Sequence, residues 1–65
     1  MPDPGIPPEL ADALRVRPEA EARFAALPPS HRREYVEWVA EAKRAETRTR
    51  RAARAVAMLM GEHEQ

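Results

Sequence analysis

Apolar side chains in the first half of the sequence recur at the three- and four-residue spacing of an α-helix. Two short segments show this spacing, one over residues 8–14 and one over residues 18–27. Each begins at a proline, which a helix tolerates in its first turn but not in its interior, and Pro28-Pro29 ends the second. The sequence therefore predicts two short helices with these residues on their apolar sides: Leu10 and Leu14, then Ala20, Phe24 and Leu27.

A third apolar stripe follows the prolines. Ser30 is placed to cap a helix there, because its hydroxyl can accept a hydrogen bond from an unpaired amide of the first turn. At about 100° per residue, the glutamates of this segment form an acidic stripe away from the apolar one. The apolar side gathers His31, Tyr35, Trp38, Val39 and Ala42, and the acidic stripe consists of Glu34, Glu37 and Glu41.

Residues 45–60 carry a fourth pattern, with arginines on its polar side. Projected on one continuous helix, its apolar stripe is rotated by roughly 70 to 90° from the preceding stripe, so a single rod could not bury both. We therefore predict a break between residues 43 and 47, capped by Thr47 or a residue just before it, and a helix end at Gly61. The apolar side is Ala45, Thr49, Ala52, Val56, Leu59 and Met60, and the opposite side is Arg44, Thr47, Arg48, Arg51 and Arg54.

These four segments predict an all-α fold, a small bundle of two short N-terminal helices and a two-helix hairpin. No alternation of apolar and polar residues persists, which disfavours strands. At 65 residues the chain is predicted to be a single domain, residues 1–65, with a flexible N-terminal segment at 1–7 and a flexible tail at 61–65. The predicted structural core consists of the large apolar residues at helix-facing positions: Phe24, Leu27, Tyr35, Trp38, Val39, Val56 and Leu59.

The small size of the predicted bundle favours association with another chain. Domains of this length sit near the limit of independent stability, so we expect a homodimer or a protein partner to complete the core. In the homodimer the C-terminal helices are expected near the axis, because residues 56–60 spread apolar surface over more than one side. Met58 tests this expectation. It lies on the arginine side, where a single chain is expected to leave it in water, so its burial would indicate a second chain.

Composition narrows the class of protein. The sequence has no cysteine, which excludes disulfides and thiol chemistry, and its formal net charge is zero. Residues 30–54 hold eight basic and four acidic side chains, an imbalance too modest for the strongly basic domain typical of a free-standing nucleic-acid binder. No signal-peptide pattern and no apolar run of about 20 residues is present, which predicts a cytoplasmic protein without membrane insertion.

Residues able to carry chemistry do not fall into a catalytic or metal-binding pattern. Ser30 and His31 are adjacent, but neighbouring side chains at a helix start diverge and no third group is placed to orient them. His31 and His63 are a helical hairpin apart, which does not match the spacing of zinc ligands. No glycine-rich loop is available for a nucleotide. We therefore predict no catalytic residue, cofactor, metal or small-molecule substrate.

Arginines in the first turn of the last predicted helix contradict the usual preference for acidic residues there. Three interpretations remain open: pairing with Glu37 and Glu41 of the preceding helix together with Glu46, an external anion held by arginine forks and helix-start amides, or arginines that are simply exposed to water. We expect the first, so that Arg48 and Arg51 are paired inside the fold. Under the second, the candidate anion or partner contacts are Arg44, Thr47, Arg48, Arg51 and Arg54.

Residues 27–59 resemble the carboxy-terminal helical motif of the bacteriocin-protection, YdeI or OmpD-associated family. The resemblance rests on a Leu-Pro-Pro-Ser entry followed, in order and at the family's spacing, by Tyr35, Trp38, Ala42, Lys43, Thr47, Arg48 and Arg51. In relatives the motif often follows a β-rich domain, so an activity housed in that domain is not implied for these residues. The family name implies an association with antimicrobial resistance and no chemistry for the motif.

Two functions from different classes are predicted. The first is a non-enzymatic helical protein-interaction module, which the resemblance places with the YdeI/OmpD-associated type and links to stress or antimicrobial resistance. The alternative is a nucleic-acid-binding helical module that uses the basic stripe Arg44–Arg54, because the predicted hairpin resembles a helix-turn-helix.

Overall fold

The computed structural model describes residues 5–61, which form four α-helices and no strand. Helix α1 spans Pro8–Arg15, α2 Pro18–Ala26, α3 Pro29–Ala40 and α4 Ala45–Leu59. The predicted all-α fold, with two short helices before a two-helix hairpin, is confirmed. Residues 1–4 and 62–65, which include much of both ends predicted to be flexible, lie outside the described residues.

Prolines set where the first three helices begin. Pro8, Pro18 and Pro29 stand at the first helical position, where the fixed φ of proline suits the helix and its missing N–H would have no intrahelical partner anyway. The predicted cap at Ser30 is therefore wrong, because the chain is already helical at Pro29 and no side chain caps α3. Leu27 takes an extended conformation, as residues before proline do, and ends α2.

Residues 41–44 separate α3 from α4, so the predicted break exists and lies slightly nearer the N-terminus than residues 43–47. Arg44 is extended, with φ −97° and ψ 140°, and α4 begins at the next residue. Thr47 as the cap is wrong, because it lies inside the first turn and no side chain caps this helix. Gly61, just after α4, takes a left-handed φ of 72°, which confirms the predicted stop.

The core lies where the other three helices meet α4, and α1 makes its most extensive contacts with that helix. The residues predicted from the sequence as core all belong to this cluster, but not all are fully enclosed. Phe24 and Tyr35 meet edge to face, with ring centroids 6.4 Å apart. The buried members are Phe24, Val39, Val56 and Leu59, and the half-buried members are Leu27, Tyr35 and Trp38.

The N-terminal helix contributes more to the core than the sequence pattern indicated. Leu10 is fully buried and Leu14 nearly so, and Ile6, just before α1, packs against the same cluster. Because both α1 and α3 pack on α4, the buried stripe of α4 is turned toward both of them. The predicted apolar side of α4 is therefore partly wrong: Thr49 is exposed, whereas Ala55 is fully buried.

Candidate functional site

Two arginines of α4 contact the C-terminal end of α3 and the link that follows it. The Nη1 of Arg48 donates hydrogen bonds to the carbonyls of Ala42, at 3.0 Å, and Lys43, at 3.1 Å. The Nη1 of Arg51 donates to the carbonyl of Trp38 at 2.7 Å. The last carbonyls of a helix lack intrahelical partners and carry partial negative charge, and α3 has no basic residue in its own last turn. Arginines of the next helix supply that missing positive charge.

Arg48 also joins α4 to α1 through an ion pair with Glu9. The Nε of Arg48 lies 3.1 Å from the Oε2 of Glu9, and the side chains are 28% and 16% exposed. The prediction that Arg48 and Arg51 pair with Glu37 and Glu41 is wrong. Within the described residues the carboxylate that Arg48 meets comes from α1, because α1 packs directly on α4.

The environment of Glu9 favours its charged form. A hydrogen bond from its own backbone amide lowers the pKa of the Glu9 carboxyl most, burial raises that pKa by less, and the hydrogen bond and charge of Arg48 lower it further. The net result is a pKa below the ordinary value. The second carboxylate oxygen, Oε1, is buried and has no hydrogen-bond partner in the structure. The charged form of Glu9 is therefore stabilised first by its own backbone amide and then by Arg48.

Arg51 is held by a second contact with Trp38. Its guanidinium carbon lies 5.5 Å from the centroid of the indole ring, within the range of a cation–π interaction. The same arginine thus contacts the ring and the backbone carbonyl of one residue, and both groups are half-buried. This double contact fixes the face of the indole that points toward α4.

Arginine-to-carbonyl contacts recur at two other helix ends. Arg32 of α3 donates to the carbonyls of Leu27 and, at 3.3 Å, Ala25, at the end of α2. Arg23 of α2 donates to the carbonyl of Leu59, at 3.3 Å, at the end of α4. The α2, α3 and α4 helices are therefore each contacted at their C-terminal end by an arginine from another helix. Arg23, Arg32, Arg48 and Arg51 therefore stabilise the fold.

The remaining candidate contacts from the sequence stay on the surface or have other partners. Arg44 is exposed, and its backbone carbonyl accepts the first helical hydrogen bond of α4, from the amide of Arg48 at 3.0 Å. Thr47 is half-buried and its Oγ1 accepts a hydrogen bond from Arg50 at 3.4 Å. Arg54 is exposed. The basic stripe is thus split between inward-facing and outward-facing residues and does not form one continuous anion-binding surface.

An apolar cleft of about 290 Å³ opens between α3 and α4, and we refer to it as the α3–α4 cleft. The helices run antiparallel along it, because Trp38 near the end of α3 contacts Arg51, while His31 at the start of α3 shares the cleft with Met58 near the end of α4. The first and last turns of the two helices therefore lie side by side. The cleft is lined by Leu27, His31, Glu34, Tyr35, Trp38 and Met58.

Met58 occupies a different environment from the one predicted. It is half-buried within one chain, because α3 and the end of α2 supply its neighbours in the cleft. The prediction that a single chain leaves Met58 in water is therefore wrong, and its partial burial does not by itself require a second chain. His31, predicted on the apolar side of its helix, is exposed at the rim of the cleft.

Other kinds of site find little support in residues 5–61. No group of three or more histidine, aspartate or glutamate side chains there is arranged to hold a metal ion. Ser30 and His31 are both exposed in the first turn of α3. Over the same residues, no helix combines the length and the apolar character needed to cross a bilayer.

The contacts define a small all-α domain whose helix ends are joined by arginines and whose hairpin encloses an open apolar cleft. The model of one protein family, described as bacteriocin-protection, YdeI or OmpD-associated, matches residues 3–61. The chain therefore belongs to that family. The match includes the two N-terminal helices as well as the hairpin, and so extends beyond the resemblance seen over residues 27–59. No curated protein and no solved structure matches the chain.

The pattern of side chains along the chain does not indicate Glu9 or the arginines Arg23 and Arg32, which contact helix ends. Their partners are a residue on a distant helix and backbone carbonyls, which side-chain patterns do not display. One signal was available: neither α3 nor α4 has a basic residue in its last turn, although the chain is rich in arginine. Such helices need positive charge from elsewhere in the fold.

Proposed function

We propose that this chain is a non-enzymatic protein-interaction module and that the α3–α4 cleft is its contact surface. The observation that carries the proposal is the gathering of four large, half-buried apolar side chains at one place on the surface: Leu27, Tyr35, Trp38 and Met58. Aromatic residues and methionine are enriched where proteins bind one another. The family is not a known enzyme family.

The size of the cleft agrees with a protein side chain as its occupant. Pockets for drug-sized ligands begin at about 300 Å³ and enclose most of the ligand. The α3–α4 cleft, at about 290 Å³, lies at that lower bound and is open along the hairpin. One or two apolar side chains presented by a helix would fill it.

The same geometry disfavours the nucleic-acid alternative. Arg48 and Arg51, two members of the proposed phosphate-binding stripe, already have partners inside the fold. Arg48 donates to the carbonyls of Ala42 and Lys43 and pairs with Glu9, and Arg51 donates to the carbonyl of Trp38. Arg44 and Arg54 remain exposed. If nucleic acid were the partner, binding would weaken steeply with salt, because phosphate contacts release counterions. We expect no such binding near physiological salt.

A role in stress or antimicrobial resistance follows from the family name alone, and we propose it as the process that the interaction serves. The cytoplasmic location predicted from the sequence stays a prediction.

A photo-crosslinking experiment tests the contact surface. A photoreactive residue would replace Met58 in one variant and Ala22, an exposed residue of α2, in a control. Irradiation in a lysate of the native host should give a protein adduct at position 58 and none at position 22. Excess purified chain should compete for this adduct, whereas chain carrying Met58→Glu should not. No adduct at position 58, or an adduct with nucleic acid only, would refute the proposal.

A further inference from the structure

We propose that the occupant of the α3–α4 cleft is a second copy of this chain, related to the first by a two-fold axis that runs parallel to α3 and α4. This inference rests on the proposed function, since it names the partner of the same surface. It is drawn from the charges on the two walls of the cleft and from their relative heights.

The two helices that border the cleft carry exposed side chains of opposite charge, Glu34 in its lining and the others within two helical turns of a lining residue. On α3, Glu34 lines the cleft, and Glu41 lies two turns further along the same side of that helix; both are exposed. On α4, Arg54 lies one turn before Met58 and therefore on the same side of that helix. Neither Glu34 nor Arg54 has a side-chain hydrogen bond or ion pair among residues 5–61, whereas Arg48 and Arg51 are both engaged. These two charges are available to another molecule.

Glu34 and Arg54 also lie at the same height along the cleft. The helices are antiparallel, with Trp38 beside Arg51 at one end and the start of α3 beside Met58 at the other. Residues midway along the two walls are therefore level. Glu34 stands at that midpoint on α3 and Arg54 on α4, on opposite sides of the apolar floor.

A two-fold axis parallel to the helices preserves height and exchanges the two walls. Glu34 of one copy would then face Arg54 of its partner, and the same pair would form a second time across the axis. The half-buried floors, with Tyr35, Trp38 and Met58, would meet between the two pairs. An axis perpendicular to the helices would instead place like-charged walls against each other, which is unfavourable. The surface is thus self-complementary in one orientation, as a two-fold interface requires.

The overall composition agrees with self-association. The formal net charge is zero, so two copies carry no long-range repulsion that would have to be overcome. A chain of 65 residues buries a limited share of its surface when alone, and pairing two clefts would remove further apolar surface from water.

A charge-swap experiment with purified full-length chains tests the arrangement. The variants are Glu34→Arg and Arg54→Glu, each alone and mixed in equal amounts, with Arg33→Glu as a matched control at another exposed position of α3. Sedimentation equilibrium would measure the dimer dissociation constant. Each single variant should weaken dimerisation at least ten-fold, because two attractive pairs become repulsive. The mixture should restore it, because the new arginine at position 34 of one chain faces the new glutamate at position 54 of the other.

The results expected for the control variant and for the wild type decide between the possible outcomes. Arg33→Glu should dimerise as the wild type does. At concentrations low enough for every chain to be monomeric, all variants should keep the wild-type melting curve, because the altered residues are exposed and dimerisation adds no stability there. Restoration by mixing cannot arise from a contact within one chain. A wild type that stays monomeric at high micromolar concentration would overturn the inference, as would single variants that dimerise normally or a mixture that stays monomeric. If a different protein is crosslinked at position 58 in those cases, the proposed function stands and only this inference falls.

Discussion

Truncation of Leu10 gives the most direct test of how the bundle is held together. Leu10 is fully buried on α1, the helix that packs most extensively on α4. Leu10→Ala removes three carbon atoms, worth roughly 0.8 kcal/mol of transfer free energy each. The cavity left behind adds to this, so we expect a loss of about 3 kcal/mol, within the range of about 2–5 kcal/mol for buried leucines. A domain of this size has a total stability of about 3–10 kcal/mol, so the loss is a large fraction of it.

The assay is urea denaturation followed by circular dichroism, with thermal melting as a second measurement. A loss of about 3 kcal/mol corresponds to a fall in the melting temperature of at least about 12 °C in a domain of this length. Val16→Ala is the matched control: Val16 is 77% exposed at the end of the same helix, and its truncation should change stability by less than about 0.5 kcal/mol. If Leu10→Ala costs less than about 1 kcal/mol, α1 is not packed on α4 as described. If that variant does not fold at all, Leu10→Val gives a smaller, measurable loss.

Three further outcomes follow from the contacts described above. Arg51→Ala should lower the free energy of unfolding by about 1–2 kcal/mol in urea denaturation, because it removes the bond to the Trp38 carbonyl and the stacking on its ring, whereas Arg54→Ala should change it little. The lowered pKa of Glu9 means that its contribution is complete above the ordinary glutamate pKa of about 4.3 and is lost as the pH falls through the lower folded-state pKa; Glu9→Gln should flatten this acid-side slope in denaturation curves measured from neutral to acidic pH. Gly61→Ala should cost about 1 kcal/mol in thermal melting through its positive φ alone, because an added Cβ meets no atom within 4 Å.

The prolines made the starts of α1 and α2 predictable, because their effect on the backbone is local, whereas the start of α3 was predicted two residues too late. Cap positions were predicted less well. Pro29 already begins α3, so Ser30 lies inside the helix and cannot act as its cap. The rotation of the apolar stripe correctly indicated two helices after Pro29. The weight of Leu10 in the core was missed, since a single sequence shows that a helix is amphipathic but not which neighbour covers it.

The arginines show most clearly what could not be predicted from the sequence. A first turn rich in arginine predicted that something must compensate the charge, and that expectation rests on the helix dipole alone. The compensating groups are backbone carbonyls at the end of α3 and a carboxylate on α1. Carbonyls are the same at every position, and Glu9 is distant in sequence from Arg48, so a pattern of side chains could name neither. The sequence could, however, identify which helix had unusual charge.

The division among these arginines bears directly on function. Arg48 and Arg51 donate hydrogen bonds to backbone carbonyls near the end of α3. We therefore expect their substitution to affect folding, whatever its effect on an interaction. Arg54 lies on the same helix and is exposed. Within the described residues, neither Arg54 nor Glu34 has a side-chain hydrogen bond or an ion pair. In the proposed dimer, these two exposed charges would pair with the opposite charges of a second copy of the chain. Mutagenesis confined to Arg54 and Glu34 therefore separates interaction from architecture on a helix where both are carried by arginine.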